Sequence, residues 1–256
     1  MKVVLFCGGL GMRLREYSET IPKPMVNIGQ QPILWYLMKY YAHYGFTDFV
    51  LCLGYRGDAI KSFFLNYNEC LTNDFVMSAG GEDIHLYNSD IQNWTITFVD
   101  TGQHTGIGQR LNAVRKHLDG EEYFLANYSD GLSDLPLDQY IEFFKKQNKI
   151  ASFIGVHPHQ SFHIIQADRD NLVTEIRRVD DSVRINGGFF IFRNELFDHM
   201  EEGEELLDGV FQRLFREKQL VTFPYDGFWK CMDTFKDKQQ LDDMYSRGDT
   251  PWVVWE

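Results

Sequence analysis

Gly8, Gly9, Gly11 and Arg13 follow the apolar run Val3–Cys7, and Lys23 stands a little further on between Pro22 and Pro24. Glycines after a strand let bare backbone N–H groups approach phosphate oxygens closely. Arg13 adds a planar fork that fits two such oxygens, and Lys23 adds a compact point charge. The flanking prolines stiffen the chain, so Lys23 has little ordering entropy left to lose on meeting a ligand. The chemistry implied is the gripping and neutralising of a polyphosphate. The alternative is a plain turn followed by a solvated lysine. The stretch lacks the closing glycine of a dinucleotide fingerprint and the Gly-Lys-Ser/Thr ending of a Walker loop.

Two carboxylates far apart in the chain, Asp130 and Asp233, each follow a strand candidate. Taken singly, Asp130 reads as a turn aspartate before Gly131 and Asp233 as a cap for the helix beginning near Thr234. Taken together, they can meet at one edge of a sheet, where open α/β folds bind ligands.

The frame for these groups is an alternation of strands and helices. Pro32–Tyr44 reads as a helix with Gly45 just past its end, Asp48–Leu53 as a strand and Asp58–Phe64 as a short helix. The polar stretch Asn66–Asn93 is long for a connection and reads as a functional loop or an insertion. Trp94–Val99, Ile107–Leu118 and Tyr123–Ala126 continue as strand, helix and strand, which predicts a parallel sheet with helices on both faces. Beyond the helix Leu137–Gln147, the short β runs Ala151–Val156, Phe162–Gln166, Val173–Arg177 and Phe189–Phe192 suggest antiparallel additions to that sheet. Glu195–Glu217 reads as mostly helical, Leu220–Phe223 as a strand, and Thr234–Arg247 as a last helix stopped by Gly248. The expected fold class is α/β, one Rossmann-like domain over residues 1–256 with a mixed, mostly parallel central sheet.

A net charge of −12 disfavours a nucleic-acid-gripping surface, which needs clustered cations. Cys7, Cys52, Cys70 and Cys231 form no C-x-x-C pair, so neither a zinc knuckle nor a disulfide framework is suggested, and a reduced, cytoplasmic protein is expected. No apolar segment marks export or a membrane span. His157, His159 and His163 lack accompanying ligands and read as loop histidines. The aromatic residues Trp35, Tyr36, Tyr40, Tyr41 and Tyr44 have helical spacing and read as core or a subunit contact.

The stretch Gly8–Leu14 with Pro22-Lys23-Pro24-Met25 resembles the signature of the sugar-1-phosphate nucleotidyltransferases, and within them the glucose-1-phosphate cytidylyltransferases. Supporting segments run through the whole chain in order: Pro32–Trp35, Gly54–Gly57, Val99–Gly102, Ser129–Gly131, Asn186–Phe190, Phe228-Trp229, Met232–Thr234 and the closing Pro251–Glu256. The resemblance implies a GT-A-like fold, with a nucleotide-binding half over about residues 1–130 and a sugar-binding half over about 131–256. It implies a nucleoside triphosphate and a sugar 1-phosphate as substrates, no nucleic-acid or membrane partner, and assembly as a homo-oligomer. It implies Mg²⁺ held by Asp130 and Asp233, hard oxygen ligands that suit an ion retaining several waters. Gly8, Gly9 and Gly11 would cradle the triphosphate, Arg13 and Lys23 would serve catalysis, and Arg110 would lie near the nucleotide. Asn186, Gly187 and Trp229 would lie near the sugar.

Two departures from that pattern concern base and sugar. Met12 stands where the family has threonine, and Val173–Val179 lacks the family's Glu-Lys-Pro, leaving Arg177 or Arg178 as the cation for the sugar phosphate. The reaction that the resemblance implies is transfer from CTP to glucose 1-phosphate, giving CDP-glucose and pyrophosphate; UTP or dTTP as donor, another sugar phosphate, and an inactive nucleotide-sugar-binding protein stay open as alternatives.

Overall fold

The computed structural model of the chain describes residues 1–9, 21–158, 163–178 and 183–255. Gly11, Met12, Arg13 and His159 lie outside the described residues.

Strand β1 (Val3–Phe6) leads, and after a 3₁₀ turn at Lys23–Met25 come the short pair β2 (Asn27–Ile28) and β3 (Gln31–Pro32) and helix α1 (Ile33–His43). Next are β4 (Asp48–Leu53), α2 (Gly57–Leu65), the hairpin β5 (Phe75–Ser78) and β6 (Asp83–Leu86), β7 (Thr95–Asp100) and α3 (Ile107–Val114). Then follow β8 (Tyr123–Tyr128), β9 (Gly131–Ser133), α4 (Leu137–Gln147), β10 (Ala151–Val156), β11 (His163–Ala167) and β12 (Val173–Arg178). The chain closes with β13 (Ile185–Asn186), β14 (Phe190–Arg193), α5 (Phe211–Arg216), β15 (Leu220–Pro224), β16 (Trp229–Cys231) and α6 (Phe235–Ser246).

The main sheet runs β15, β10, β14, β8, β1, β4, β7, with β13 beside β10 beyond the stretch that β14 occupies. β1 pairs in parallel with both β4 and β8, and β4 with β7, while β14 is antiparallel to its neighbours β8 and β10. The expected mixed, mostly parallel sheet is therefore present. Alternation splits each central strand between two cores. Val3 and Leu5 of β1 join Phe49 and Leu51 of β4 under α1 and α4, while Val4 and Phe6 join Val50 and Cys52 under α3 and α5. Burial of both faces is why these strands read as unbroken apolar runs.

Helix α1 keeps close to its expected bounds and settles the reading of its aromatic stripe. Trp35, Tyr36, Tyr40 and Tyr41 are buried and Tyr44 is half-buried against the same core, and Tyr36 meets the Trp252 ring edge-on at 6.4 Å, so the stripe is core over the four buried residues. The last helix is capped by Thr234, whose hydroxyl accepts from the Asp237 N–H, and Gly248 takes a positive φ of 71° just past its end.

In the second half, β11 and β12 do not join the main sheet and form a ribbon of their own. The reason is edge occupancy: β13 and β14 take one edge of β10, and β15 takes the other in parallel. The segment expected to be mostly helical breaks into a 3₁₀ turn (Asn194–His199), a π-helical turn (Leu206–Val210) and α5. The polar stretch after α2 is an insertion carrying β5 and β6. It is pinned by the Glu69 carboxylate, which accepts the backbone N–H groups of Asp90 at 2.7 Å and Ile91 at 3.0 Å. Among the described residues no helix is long and apolar enough to cross a membrane.

Candidate active site

The pairing of β9 with β16 brings the two far-apart aspartates together. Cys231 lies opposite Gly131, and the Met232 N–H donates to the Asp130 carbonyl oxygen at 2.8 Å, so Asp130 and Asp233 leave the ribbon at the same end. Lys23, presented by its short 3₁₀ turn over the buried Pro24, donates from Nζ to Asp130 Oδ2 and to Asp233 Oδ1, each at 2.5 Å. Burial alone works against the Lys23 ammonium. Asp130 and then Asp233 outweigh it and hold the Lys23 pKa above its ordinary value.

The ammonium marks the point on which both carboxylates converge. Among the described residues no group of three or more His, Cys, Asp or Glu side chains could hold a metal ion. A hard cation bound here would have two protein carboxylates and draw the rest of its shell from water and substrate oxygens. The Cys231 thiol lies 3.9 Å from Asp233 Oδ2. Burial first, then the charges of Asp233 and Asp130, push its pKa up to about 12, so it stays a thiol and supplies no nucleophile.

A cleft of about 470 Å³ opens beside these groups, lined by Lys23, Asp130, Gly8, Gly9, Gly106 and Glu205 among others. Its floor is fixed by Arg110, which is only 3% exposed. Arg110 Nη1 donates to the Leu53 carbonyl oxygen at 3.1 Å and to Thr101 Oγ1 at 2.7 Å, and Nη2 to the carbonyl oxygens of Gly8 at 3.0 Å and Gln103 at 3.4 Å. One guanidinium thus ties together the chain leaving β1, β4 and β7. A Cβ on Gly8 would lie 1.9 Å from Arg110 Nη1, whereas one on Gly9 would meet nothing within 4 Å among the described residues. Gly8 is glycine so that Arg110 can pass, and Gly9 leaves bare backbone facing the cleft.

The Asn186-Gly187-Gly188 turn sits at the end of β13. Asn186 Oδ1 accepts the Gly188 N–H at 2.9 Å, and Asn127 Oδ1 accepts the Phe189 N–H at 3.0 Å. Gly188 has φ of 74°, and a Cβ on Gly187 would lie 2.8 Å from Ile154 Cγ1, so both glycines are required by the fold. Trp229 is buried and donates from Nε1 to the Gly187 carbonyl oxygen at 2.8 Å, joining this turn to the aspartate-bearing ribbon.

The structure therefore brings Lys23, Asp130 and Asp233 together, sets Gly8, Gly9 and Arg110 along the adjoining cleft, and links Asn186, Gly187 and Trp229 to them through β16. It does not bring Arg177 there: Arg177 lies on the β11–β12 ribbon, 3.3 Å from Glu175, and is not among the described residues that line the cleft. The Arg178 backbone pairs opposite His163 on that ribbon. His157 faces Asp226 at 3.3 Å, outside this cleft. Sequence reasoning missed Tyr128 and Glu205, which line the cleft. The glycines Gly106 and Gly108 were the available signal for a close approach to α3.

The family model for nucleotidyl transferases matches residues 2–238. The chain is 36% identical over 259 aligned positions to the glucose-1-phosphate cytidylyltransferase of Salmonella typhi, and 35% identical to that of Salmonella typhimurium, covering all of both partners in each case. A solved UDP-glucose pyrophosphorylase complexed with UDP-glucose superposes with a TM-score of 0.69 at 16% identity, over 96% of this chain and 98% of that one, a likeness of fold. With full-length relatives at this identity and a family match across nearly the whole sheet, the chain belongs to the nucleotidyl transferase family.

Proposed function

We propose that the protein transfers a cytidylyl group from CTP to glucose 1-phosphate, releasing pyrophosphate and giving CDP-glucose. The observation that carries the reading is the convergence of Lys23, Asp130 and Asp233 beside the bare backbone of Gly8 and Gly9. The full-length relatives named as cytidylyltransferases support the choice of base and sugar.

In this reaction a phosphate oxygen of the sugar phosphate bonds to the α-phosphorus of CTP as the bond to the bridging oxygen of pyrophosphate breaks. The attacking oxygen is already anionic near neutral pH, so no protein nucleophile or general base is needed. What the chain must supply is alignment and neutralisation. The backbone of Gly8 and Gly9, continued by Gly11 and Arg13, would hold the triphosphate against the platform that Arg110 braces. Lys23 would turn its charge toward the α-phosphate, and the Asn186–Gly188 turn would face the sugar. Asp130 and Asp233 would hold Mg²⁺, which when bound neutralises phosphate charge in the transition state.

The reading places the enzyme in the cytoplasm, where nucleoside triphosphates are kept. It includes assembly as a homo-oligomer, to which the exposed apolar side chains Val76, Met77 and Ile84 of the β5–β6 hairpin lend support. Sedimentation measures the assembly directly, and a monomer at micromolar concentration would remove it.

Pyrophosphate release from CTP, UTP and dTTP, each paired with several sugar 1-phosphates, tests the reaction. Release that is fastest with CTP and glucose 1-phosphate, and that is lost on chelation of Mg²⁺, is the expected result. Nucleotide binding without release by any pair would make the protein a binding module.

A further inference from the structure

We infer that Glu205 reads the base of the bound nucleotide, accepting the exocyclic amine of cytosine and thereby selecting CTP over UTP; this rests on the reaction proposed above. The cleft lining is chemically of two kinds. Lys23 with the Gly8 and Gly9 backbone suits phosphates, whereas Glu205, packed against Gly106, presents a carboxylate. A carboxylate facing a triphosphate directly would repel it, so Glu205 is left for the uncharged part of the nucleotide.

Glu205 is set there by close packing. A Cβ on Gly106 would lie 1.3 Å from Glu205 Oε1, and one on Gly108 would lie 2.2 Å from the Glu204 carbonyl oxygen. The two glycines at the start of α3 thus admit the Glu204–Glu205 segment. The segment is also tied down on both sides: Gln109 Nε2 donates to the Gly203 carbonyl oxygen at 3.1 Å, and Arg213 grips the Glu204 carboxylate at 2.8 and 3.1 Å. Buried Leu206 anchors the next position, and the Glu205 carbonyl oxygen accepts the N–H groups of Gly209 and Val210 at 3.1 and 3.2 Å.

The two neighbouring acids are therefore unlike. Glu204 is engaged by Arg213, whereas the exposed Glu205 side chain lines the cleft with no hydrogen bond or ion pair among the described residues, its charge acting on Arg110 at longer range. A carboxylate only accepts. Cytosine offers an amine at C4, the group that acidic side chains accept in base recognition, while uracil places a carbonyl oxygen at the same position. With CTP the pair is donor to acceptor; with UTP it is acceptor against acceptor.

The test is steady-state pyrophosphate release by the full chain with glucose 1-phosphate and either CTP or UTP, for the unaltered protein, Glu205→Ala and Glu205→Gln. Loss of one charge-assisted hydrogen bond lowers kcat/KM for CTP by about 10- to 100-fold in Glu205→Ala, with UTP changed by less than about threefold. Glu205→Gln, which keeps the shape and adds a donor, narrows the CTP preference further by improving UTP. Calorimetric binding of CMP and UMP follows the same pattern, independently of turnover. A Glu205 that only capped α3, or that held the ribose, would lose CTP and UTP by equal factors, and that result overturns the inference. An unchanged CTP preference overturns it as well. Should Glu205→Ala fail to fold, the near-isosteric Glu205→Gln carries the comparison. No release by the unaltered protein with any nucleotide would instead remove the proposed reaction and this inference with it.

Discussion

Arg110 Nη2 donates to the Gly8 carbonyl oxygen at 3.0 Å, joining α3 to the end of β1 across 102 residues of chain. Three further bonds, to Leu53, Thr101 and Gln103, occupy the same guanidinium. Arg110 is thus the brace behind the Gly8–Gly9 backbone, and a lysine, with one compact ammonium, cannot span its four acceptors.

Arg110→Lys is expected to lower unfolding stability by about 2–4 kcal/mol, because buried carbonyl oxygens lose a charged donor. Gly8→Ala should resemble it, since the added Cβ would lie 1.9 Å from Arg110 Nη1 and must push the fork aside. Urea denaturation reads both. Stability within about 0.5 kcal/mol of the unaltered protein for either variant would contradict the bracing role.

Removing the lysine shared by Asp130 and Asp233 leaves two carboxylates converging with no cation between them. Lys23→Met should destabilise the metal-free protein by about 1–3 kcal/mol, and adding Asp130→Asn should return most of that loss, because the pair then carries one charge fewer. Turnover in Lys23→Met should fall by about a hundredfold or more through loss of the charge proposed to act on the α-phosphate. Independent, additive effects of the two substitutions on stability would show that Lys23 and Asp130 do not interact.

How much of this was open to sequence reasoning depends on the range of the interaction. The bounds of α1 and α6 rest on local signals, Pro32 before one and Thr234 with Gly248 around the other, and these survive in the structure. The meeting of Asp130 with Asp233 depends on the β9–β16 register, which no local pattern encodes; only the family motifs pointed to it. Arg110 could be read as a helix-face charge or a nucleotide contact, because the four acceptors that bury it come from three separate stretches, at Gly8, Leu53 and Thr101–Gln103. The β11–β12 ribbon looked like sheet because its residues favour strands, and only the filled edges of β10 exclude it.

The pH dependence of stability follows from groups that hold their protons more tightly when folded. Lys23 is raised above its ordinary 10.5 by Asp130 and Asp233 against the opposing effect of burial, and the thiols of Cys7 and Cys231 are raised by burial from 9.0 to about 12. In each case the unfolded chain releases its proton first as pH rises, so the stabilisation is complete below about pH 9 and is lost as pH climbs toward 12. Thermal melts from pH 7 to 11 should show Tm flat at first and then falling, with a shallower fall in Cys231→Ala. Alkylation at pH 8 should spare Cys7 and Cys231, since the thiolate is the reacting form.

Trp229 links the two halves of the site by a single bond, Nε1 to the Gly187 carbonyl oxygen at 2.8 Å, while its ring stays buried. Trp229→Phe keeps most of the apolar contact and deletes that bond. The expected stability loss is about 1 kcal/mol, the ordinary net worth of a hydrogen bond whose acceptor is left unpaired. The functional effect should be selective, because the freed Gly187 lies in the turn proposed to face the sugar while the Gly8 platform is braced separately by Arg110. KM for the sugar phosphate should rise several-fold with KM for the nucleotide unchanged, a split that varying each substrate in turn measures. Equal rises in both would mean that Trp229 supports the whole cleft and not the Asn186–Gly188 turn.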